Sequence, residues 1–289
     1  MSIETKSSAD ADVGRGRLLV LATAILWSLA GIFIKSLDLH PLAIVFYRSL
    51  FAAFFFLPLV RKSGRTLSLP LAVSALSYTA AISSFVSANK LTTAANAIVL
   101  QYTAPIFVFI FARVLFRESI SRLNLITLLA GSLGVGIIFA GSAGRPDMAG
   151  VGVAVLSGLF FAIYMTNLRF VAAVDARYLT LANNLACCLA LFPWVHSRLG
   201  LSLANTVTLG AMGVIQLGIP YFLFCKGLEK ISLQEASLIL LVEPVLNPIW
   251  VTLAFGEIPS RATLMGGGVI LLSLALRYAW PRTRRNFEC

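Results

Sequence analysis

Residues 96–122 read NAIVLQYTAPIFVFIFARVLFRESISR, and residues 235–261 read EASLILLVEPVLNPIWVTLAFGEIPSR. Under a constant shift of 139 positions, Pro105, Glu118, Ser121 and Arg122 fall on Pro244, Glu257, Ser260 and Arg261. Both stretches lie within long apolar runs, so the chain reads as two copies of one membrane-embedded unit. The correspondence continues with small gaps. A shift of 134 places Trp27, Ser28 and Lys35 on Phe161, Ala162 and Arg169, and a shift of 135 places Leu57 and Pro58 on Phe192 and Pro193.

Composition sets the solvent. With 289 residues, 58% hydrophobic and 12% charged, and a mean hydropathy of +0.89, the chain has more apolar surface than a soluble domain of this length can bury. The lipid bilayer is the expected partner. A formal charge of +11 could suggest nucleic acid, but the basic residues lie between apolar runs rather than on one patch, so no nucleic-acid partner is expected. Cys187, Cys188 and Cys225 fall inside apolar runs and read as small packing residues, not as a disulfide framework or metal site. No cofactor is expected, and the phosphate-cradling loop of an ATP-driven pump is missing.

A hydrocarbon core of about 30 Å needs roughly 20 apolar residues per helix. On that rule ten spans are expected: 18–36, 41–60, 69–88, 93–116 and 123–140 in the first half, and 149–171, 178–195, 206–226, 234–255 and 262–280 in the second. Residues 1–17 then form a cytoplasmic tail, 18–140 the first five-helix repeat, 141–148 a connecting loop, 149–280 the second repeat and 281–289 a basic cytoplasmic tail. No removable signal peptide is expected, because no small-residue cleavage pattern follows the polar start. Of the Lys and Arg residues, 17 fall on one side of this partition and 5 on the other, with Arg48 left inside a span. Cytoplasmic loops are enriched in both residues, so both termini are placed in the cytoplasm, on a multi-pass protein of the cell (inner) membrane.

Five is odd, so the second half must enter the membrane in the opposite sense to the first. The expected fold is therefore an all-α integral membrane protein of ten transmembrane helices, arranged as two inverted-topology five-helix repeats around a central cavity. Such halves can open one midplane site to either side by exchanging conformations. A stripe of Gly150, Ala154, Gly158 and Ala162 at four-residue spacing suits close helix approach, and so do Gly266 to Gly268 and the Ser132, Gly136, Ala140 series.

Leu26-Trp27-Ser28, Pro41 before Tyr47-Arg48, the Pro105 to Glu118 helix followed by Gly134, and the later Glu243-Pro244 and Gly256-Glu257 occur in this order along nearly the whole chain after Arg17. The order resembles the ten-helix, two-repeat branch of the drug/metabolite transporter superfamily, the EamA-type carriers. Within that branch it is similar to the YddG-type exporters of aromatic amino acids. The resemblance implies a plasma-membrane carrier, commonly an exporter of amino acids or other small metabolites.

Polar groups at hydrocarbon depth are costly and so point to a site. Arg48 lies about 10 Å into the second span at 1.5 Å per residue. Its image at a shift of 135 is Asn183, beside Asn184. Arg48 has two readings: architecture, or attraction of a substrate carboxylate. Glu243 is the one acid well inside an expected span, and with Asn247 and Trp250 it forms an i, i+4, i+7 stripe loosened by Pro244 and Pro248. It could meet a substrate amine, couple a proton, or simply hold the helix kink. Tyr47, Tyr78, Tyr102, Tyr164 and Tyr221, with Gln101 and Gln216 nearby, offer flat apolar faces with polar tips.

Leaving aside Asn184 and the two prolines, these twelve residues are the candidate substrate-binding set; no catalytic residue is expected. A zwitterion suits Arg48 and Glu243 together, so a secondary transporter of aromatic or other neutral amino acids, working by alternating access, leads. A less selective exporter of drugs or organic amines is the alternative, with Glu243 as counter-charge. The acid that small multidrug relatives carry in their first helix has no equivalent between Leu18 and Ile34. An intramembrane enzyme would need clustered acids, metal ligands or an activated nucleophile, and the sequence offers none. Oligomeric state is left open, a monomer being compatible with two halves in one chain.

Overall fold

The computed structural model describes residues 3–60, 68–117, 122–142, 147–171, 173–196, 200–231, 236 and 239–279. Glu118 and Ser121 of the repeat, residues 143–146 of the connecting loop, Trp280 and the 281–289 tail lie outside them.

Ten spans cross the bundle. The first is α1 (Ile3–Ser28) followed by α2 (Ala30–Ser36), the second α3 (Pro41–Phe56), the third α4 (Leu69–Leu91). The fourth is split into α5 (Ala94–Gln101) and α6 (Ala104–Phe116), and the fifth is α7 (Arg122–Ser142). In the second half, α8 (Met148–Asn167) and α9 (Ala176–Val195) form the sixth and seventh. The eighth combines α10 (Leu203–Ala211), a π-helical segment (Met212–Gly218) and α11 (Ile219–Leu228). The described part of the ninth ends in α12 (Glu243–Phe255), and α13 (Arg261–Ala279) is the tenth. Seven of these spans are continuous enough, long enough and apolar enough to cross a bilayer on those grounds alone. In the fifth, the apolar stretch Leu125–Gly141 is shorter.

The starts of the helices follow local chemistry. Ser68, Thr93, Asp175 and Ser202 accept hydrogen bonds from backbone N–H groups of the first turns of α4, α5, α9 and α10, and Pro41 takes the first position of α3, where its missing N–H costs nothing. Two extents differ from the sequence expectation. Helix α1 begins at Ile3, because nothing in residues 3–17 forbids helix and polar residues can continue one outside the apolar run. The ninth span turns at Leu241 and Val242 instead of running as one helix, since Pro244 has no N–H to donate to the Leu240 carbonyl.

The repeat is visible in backbone detail. Helices α6 and α12 begin at Ala104 and Glu243 and end at Phe116 and Phe255, each pair 139 residues apart. Among the described residues two have positive φ: Arg117 at 54° and Gly256 at 68°, again 139 apart. Gly256 takes this left-handed helix cap without a Cβ penalty, whereas Arg117 bears it.

The packing repeats in the same way. The third span lies on the sixth, and their images, the eighth and first, lie on each other; the second packs on its own image, the seventh, and the fifth on the tenth. This pattern is unchanged when the halves are exchanged, as two oppositely inserted copies require. Small residues set several of these contacts. A Cβ on Gly150 would lie 2.6 Å from the Leu91 carbonyl carbon, and one on Gly158 2.7 Å from the Thr103 hydroxyl. One on Gly134 would lie 2.6 Å from the Gly266 carbonyl oxygen, where the fifth and tenth spans meet. Gly136 faces open space. Gly134→Leu is therefore expected to destabilise the protein by about 1–3 kcal/mol through overpacking, with Gly136→Ala as a neutral control. Thermal unfolding in detergent reads the difference.

Apolarity is turned outward. Leu203 is 81% exposed and Leu69 79%, and they belong to a belt of large apolar side chains that suits lipid. Arg48, Ser49, Ser74, Asn89, Asn183, Asn184, Gln216 and Asn247 are buried instead. Every lipid-facing backbone group must be satisfied within a helix, so polar side chains gather where helices face one another.

Candidate functional site

The crossing of α3 and α9 holds the most demanding polar group. Arg48 is 3% exposed, its Nε has no hydrogen-bond partner, and among the described residues the ion pairs are Lys35–Glu257, Lys226–Glu229 and Lys230–Asp12, none of which includes it. Its electrostatic neighbours are Tyr78 and Cys187. Ser49 donates to Cys187 Sγ at 3.5 Å, the Tyr78 hydroxyl donates to Asn184 Oδ1 at 3.2 Å, and Asn184 Nδ2 returns to the Thr180 carbonyl at 2.8 Å. Asn183, the repeat image of Arg48, is 1% exposed with neither side-chain amide atom partnered. It lies one turn before Cys187, on the same face of α9. A buried cation and a buried amide, both with unfilled hydrogen-bonding capacity, are what a polar ligand would satisfy.

Aromatic rings border this cluster. Tyr78 and Tyr164 have centroids 5.7 Å apart, Tyr164 stacks on Phe161, and Tyr221 meets Phe56 edge-on at 5.8 Å. Tyr221 is also an electrostatic neighbour of Tyr78. Tyr47 is buried and edge-on to Phe46.

The remaining candidates lie on other contacts. At the breaks of the fourth and ninth spans, Tyr102 Oη is 2.8 Å from Glu243 Oε2 and 3.0 Å from the Leu240 carbonyl. The Asn247 amide donates to the Ser28 carbonyl at 3.0 Å and the Trp250 indole to the Ser28 hydroxyl at 2.9 Å, so this part of the expected stripe clasps the first span. Gln101 donates to Ser157 at 2.8 Å, and Ser157 in turn to the Ala81 carbonyl. Gln216 sits in the π-helical segment, reaches the Trp27 carbonyl at 3.5 Å and leaves Oε1 unpartnered. Pro220, four residues on, has no N–H to donate to the Gln216 carbonyl, which accounts for the irregular helix there. The structure thus gathers Arg48, Tyr78, Asn183, Tyr164 and Tyr221, pairs Tyr102 with Glu243, and turns Gln101, Asn247 and Trp250 toward neighbouring helices.

A third network escaped the sequence reading. At the end of the bundle that carries Lys35, its ammonium lies 2.7 Å from Glu257 Oε2 and donates to the Thr92 carbonyl at 3.1 Å. Glu257 Oε1 accepts from the Ala94 N–H at 2.6 Å. Beside them, Thr92 donates to Asp147 Oδ2 at 3.1 Å, Asn96 donates to Thr92, and Thr263 donates to Asn96 at 2.7 Å. Lys90 donates to the Leu37 carbonyl. Four span junctions, first–second, third–fourth, fifth–sixth and ninth–tenth, are joined in this way across both halves. At the opposite end, Lys230 bonds Asp12 at 2.5 Å, where Asp12 is largely exposed. The signal was present in the repeat: Lys35 and Glu257 have images Arg169 and Glu118. Arg169 lies over the Phe116 ring at 4.6 Å, and Glu118 lies outside the described residues. Among the described residues no three His, Cys, Asp or Glu side chains come together as a metal site would need.

Ten spans in two oppositely inserted halves, with polar groups buried where the halves meet, define a membrane transporter. The chain belongs to the EamA-like transporter family, whose sequence pattern matches it twice, over residues 14–140 and 148–279. It is 26% identical over 274 residues to an uncharacterized transporter of Archaeoglobus fulgidus, spanning 92% of this chain and 96% of that one. To an uncharacterized transporter of Clostridium kluyveri it is 24% identical over 296 residues, spanning 92% and 93%. The uncharacterized transporter YdfC of Bacillus subtilis is 27% identical over 199 residues, 66% of this chain and 64% of that one. A solved crystal structure shares the fold with a TM-score of 0.66 at 17% identity, covering 91% of this chain and 96% of that chain.

Proposed function

We propose that this transporter moves a small carboxylate-bearing neutral solute, an aromatic or other bulky neutral amino acid, out of the cytoplasm by alternating access. The observation that carries the reading is Arg48, a buried cation with no acidic partner among the described residues. A carboxylate would supply the missing counter-charge through charge-assisted bonds. Asn183 adds an unfilled amide, and Tyr78, Tyr164 and Tyr221 supply flat faces that suit a ring. The repeats 18–140 and 149–280 are the two bodies that move. With both termini in the cytoplasm, as the 17 to 5 basic split favours, the Lys35 end faces outward and its network closes that side.

Purified protein in liposomes, preloaded with unlabelled phenylalanine, is expected to take up labelled phenylalanine by counterflow. Excess tryptophan should compete, and tetraphenylphosphonium should not. Counterflow of the organic cation without any amino acid would overturn the reading in favour of an amine exporter.

A further inference from the structure

Tyr102 stands between two acceptors with one hydroxyl proton to give. The first is the Leu240 carbonyl at 3.0 Å. Its helical donor would be the N–H of residue 244, which is Pro244 and has none. The second is Glu243 Oε2 at 2.8 Å. One O–H cannot fill both bonds. Both close if the carboxyl brings its own proton: Glu243 Oε2–H donates to Tyr102 Oη, and Tyr102 donates to the Leu240 carbonyl.

Among the described residues no cation compensates a carboxylate at this place. Of the described elements, α12 packs chiefly against α1, α2 and α5. All charged residues of α1 precede Leu18, the cation of α2 is Lys35, held by Glu257, and α5 carries no titratable side chain. The three ion pairs among the described residues leave Glu243 out. A lone charge at this depth would be costly, whereas a protonated acid in a closed hydrogen-bond chain is not.

The position matters as much as the proton. Tyr102 lies at the break in the fourth span and Glu243 at the matching break in the ninth, so their bond ties the first half to the second where each helix is interrupted. We infer that Glu243 is the proton carrier of this transporter: protonated, it closes both bonds between the two broken helices, and releasing its proton on the open side leaves Tyr102 one proton for two acceptors and a carboxylate that only water can solvate, which favours the open arrangement. Proton movement is thereby linked to the exchange between conformations. The link to solute flow rests on the transport reading above; the protonated state does not.

Two measurements separate these parts. Infrared difference spectroscopy of the reconstituted protein at neutral pH, with no ligand, should show a protonated-carboxyl C=O band that Glu243→Gln removes and Tyr102→Phe shifts in frequency. No band assignable to Glu243 overturns the inference, whatever the substrate. In phenylalanine liposomes, a pH gradient should stimulate wild-type uptake about tenfold over counterflow alone, as a coupling of about 1.4 kcal/mol would give. Glu243→Gln keeps a neutral hydrogen-bonding group where the protonated acid stood, so the ratio of gradient-driven uptake to its own counterflow, about ten in the wild type, should fall to about one. Stimulation that persists in Glu243→Gln, or counterflow in the wild type with no response to the gradient, overturns the coupling and leaves the proposed function standing. Absent counterflow with an intact carboxyl band overturns the transport reading alone.

Discussion

Arg48→Gln is expected to weaken phenylalanine binding about tenfold to a hundredfold, the loss of a charged hydrogen-bonding group worth roughly 1.5–3 kcal/mol. It should leave thermal stability unchanged or slightly raised. The two signs together decide between binding and architecture. An arginine that holds helices together contributes hydrogen bonds and counter-charges in the empty protein, so removing it destabilises. Here the guanidinium is buried, its Nε is unpartnered and no acid pairs with it among the described residues. Its removal therefore deletes an uncompensated desolvation cost from the empty state. Arg48→Lys adds a second contrast. It keeps the charge but loses the planar fork that matches a carboxylate, so affinity should fall between wild type and Arg48→Gln. Counterflow concentration dependence and detergent melting supply both numbers. Lower stability with unchanged affinity in Arg48→Gln would make the residue architectural.

The ten spans and the duplication were legible because bilayer thickness fixes helix length and a repeat shows at constant shift. The site was legible only in part, for a physical reason. Periodicity tells which residues share a face, not what the face meets. Glu243, Asn247 and Trp250 do share one face of the ninth span. Yet Glu243 meets Tyr102 of the fourth span, while Asn247 and Trp250 meet Ser28 of the first. The Arg48 and Asn183 pairing across the repeat was visible, but that both are buried with unfilled polar atoms depends on the packing of α3 against α9. Lys35 and Glu257 are distant in the chain, each at a span end where a solvated charge is the usual reading. Only the fold brings them to 2.7 Å.

That ion pair carries the other large expected effect. Lys35 and Glu257 side chains are 19% and 23% exposed, between a buried bridge and a surface one. Removing one partner is then expected to cost the closed arrangement about 1–3 kcal/mol, less than the 3–5 of a fully buried pair and more than the 0–1 of an exposed one. In a background with the native cysteines replaced, Ala97→Cys is a suitable reporter. Ala97 is fully buried on α5, one turn beyond the Ala94 N–H that Glu257 accepts. Lys35→Met should speed its labelling by an impermeant maleimide about tenfold or more, the population shift that such a cost implies. Glu257→Gln should do less, because the amide oxygen can still accept from Ala94. The double substitution should fall below Lys35→Met, since no unpaired carboxylate then remains in the network. If labelling is unchanged in all three, the network is a peripheral contact and closure of this end rests on apolar packing between the halves. If the expected order holds, the same variants should also alter gradient-driven uptake. Lys35–Glu257 and Tyr102–Glu243 lie at opposite ends of one helix, α12 and its cap, and opening one end must load or relieve the other.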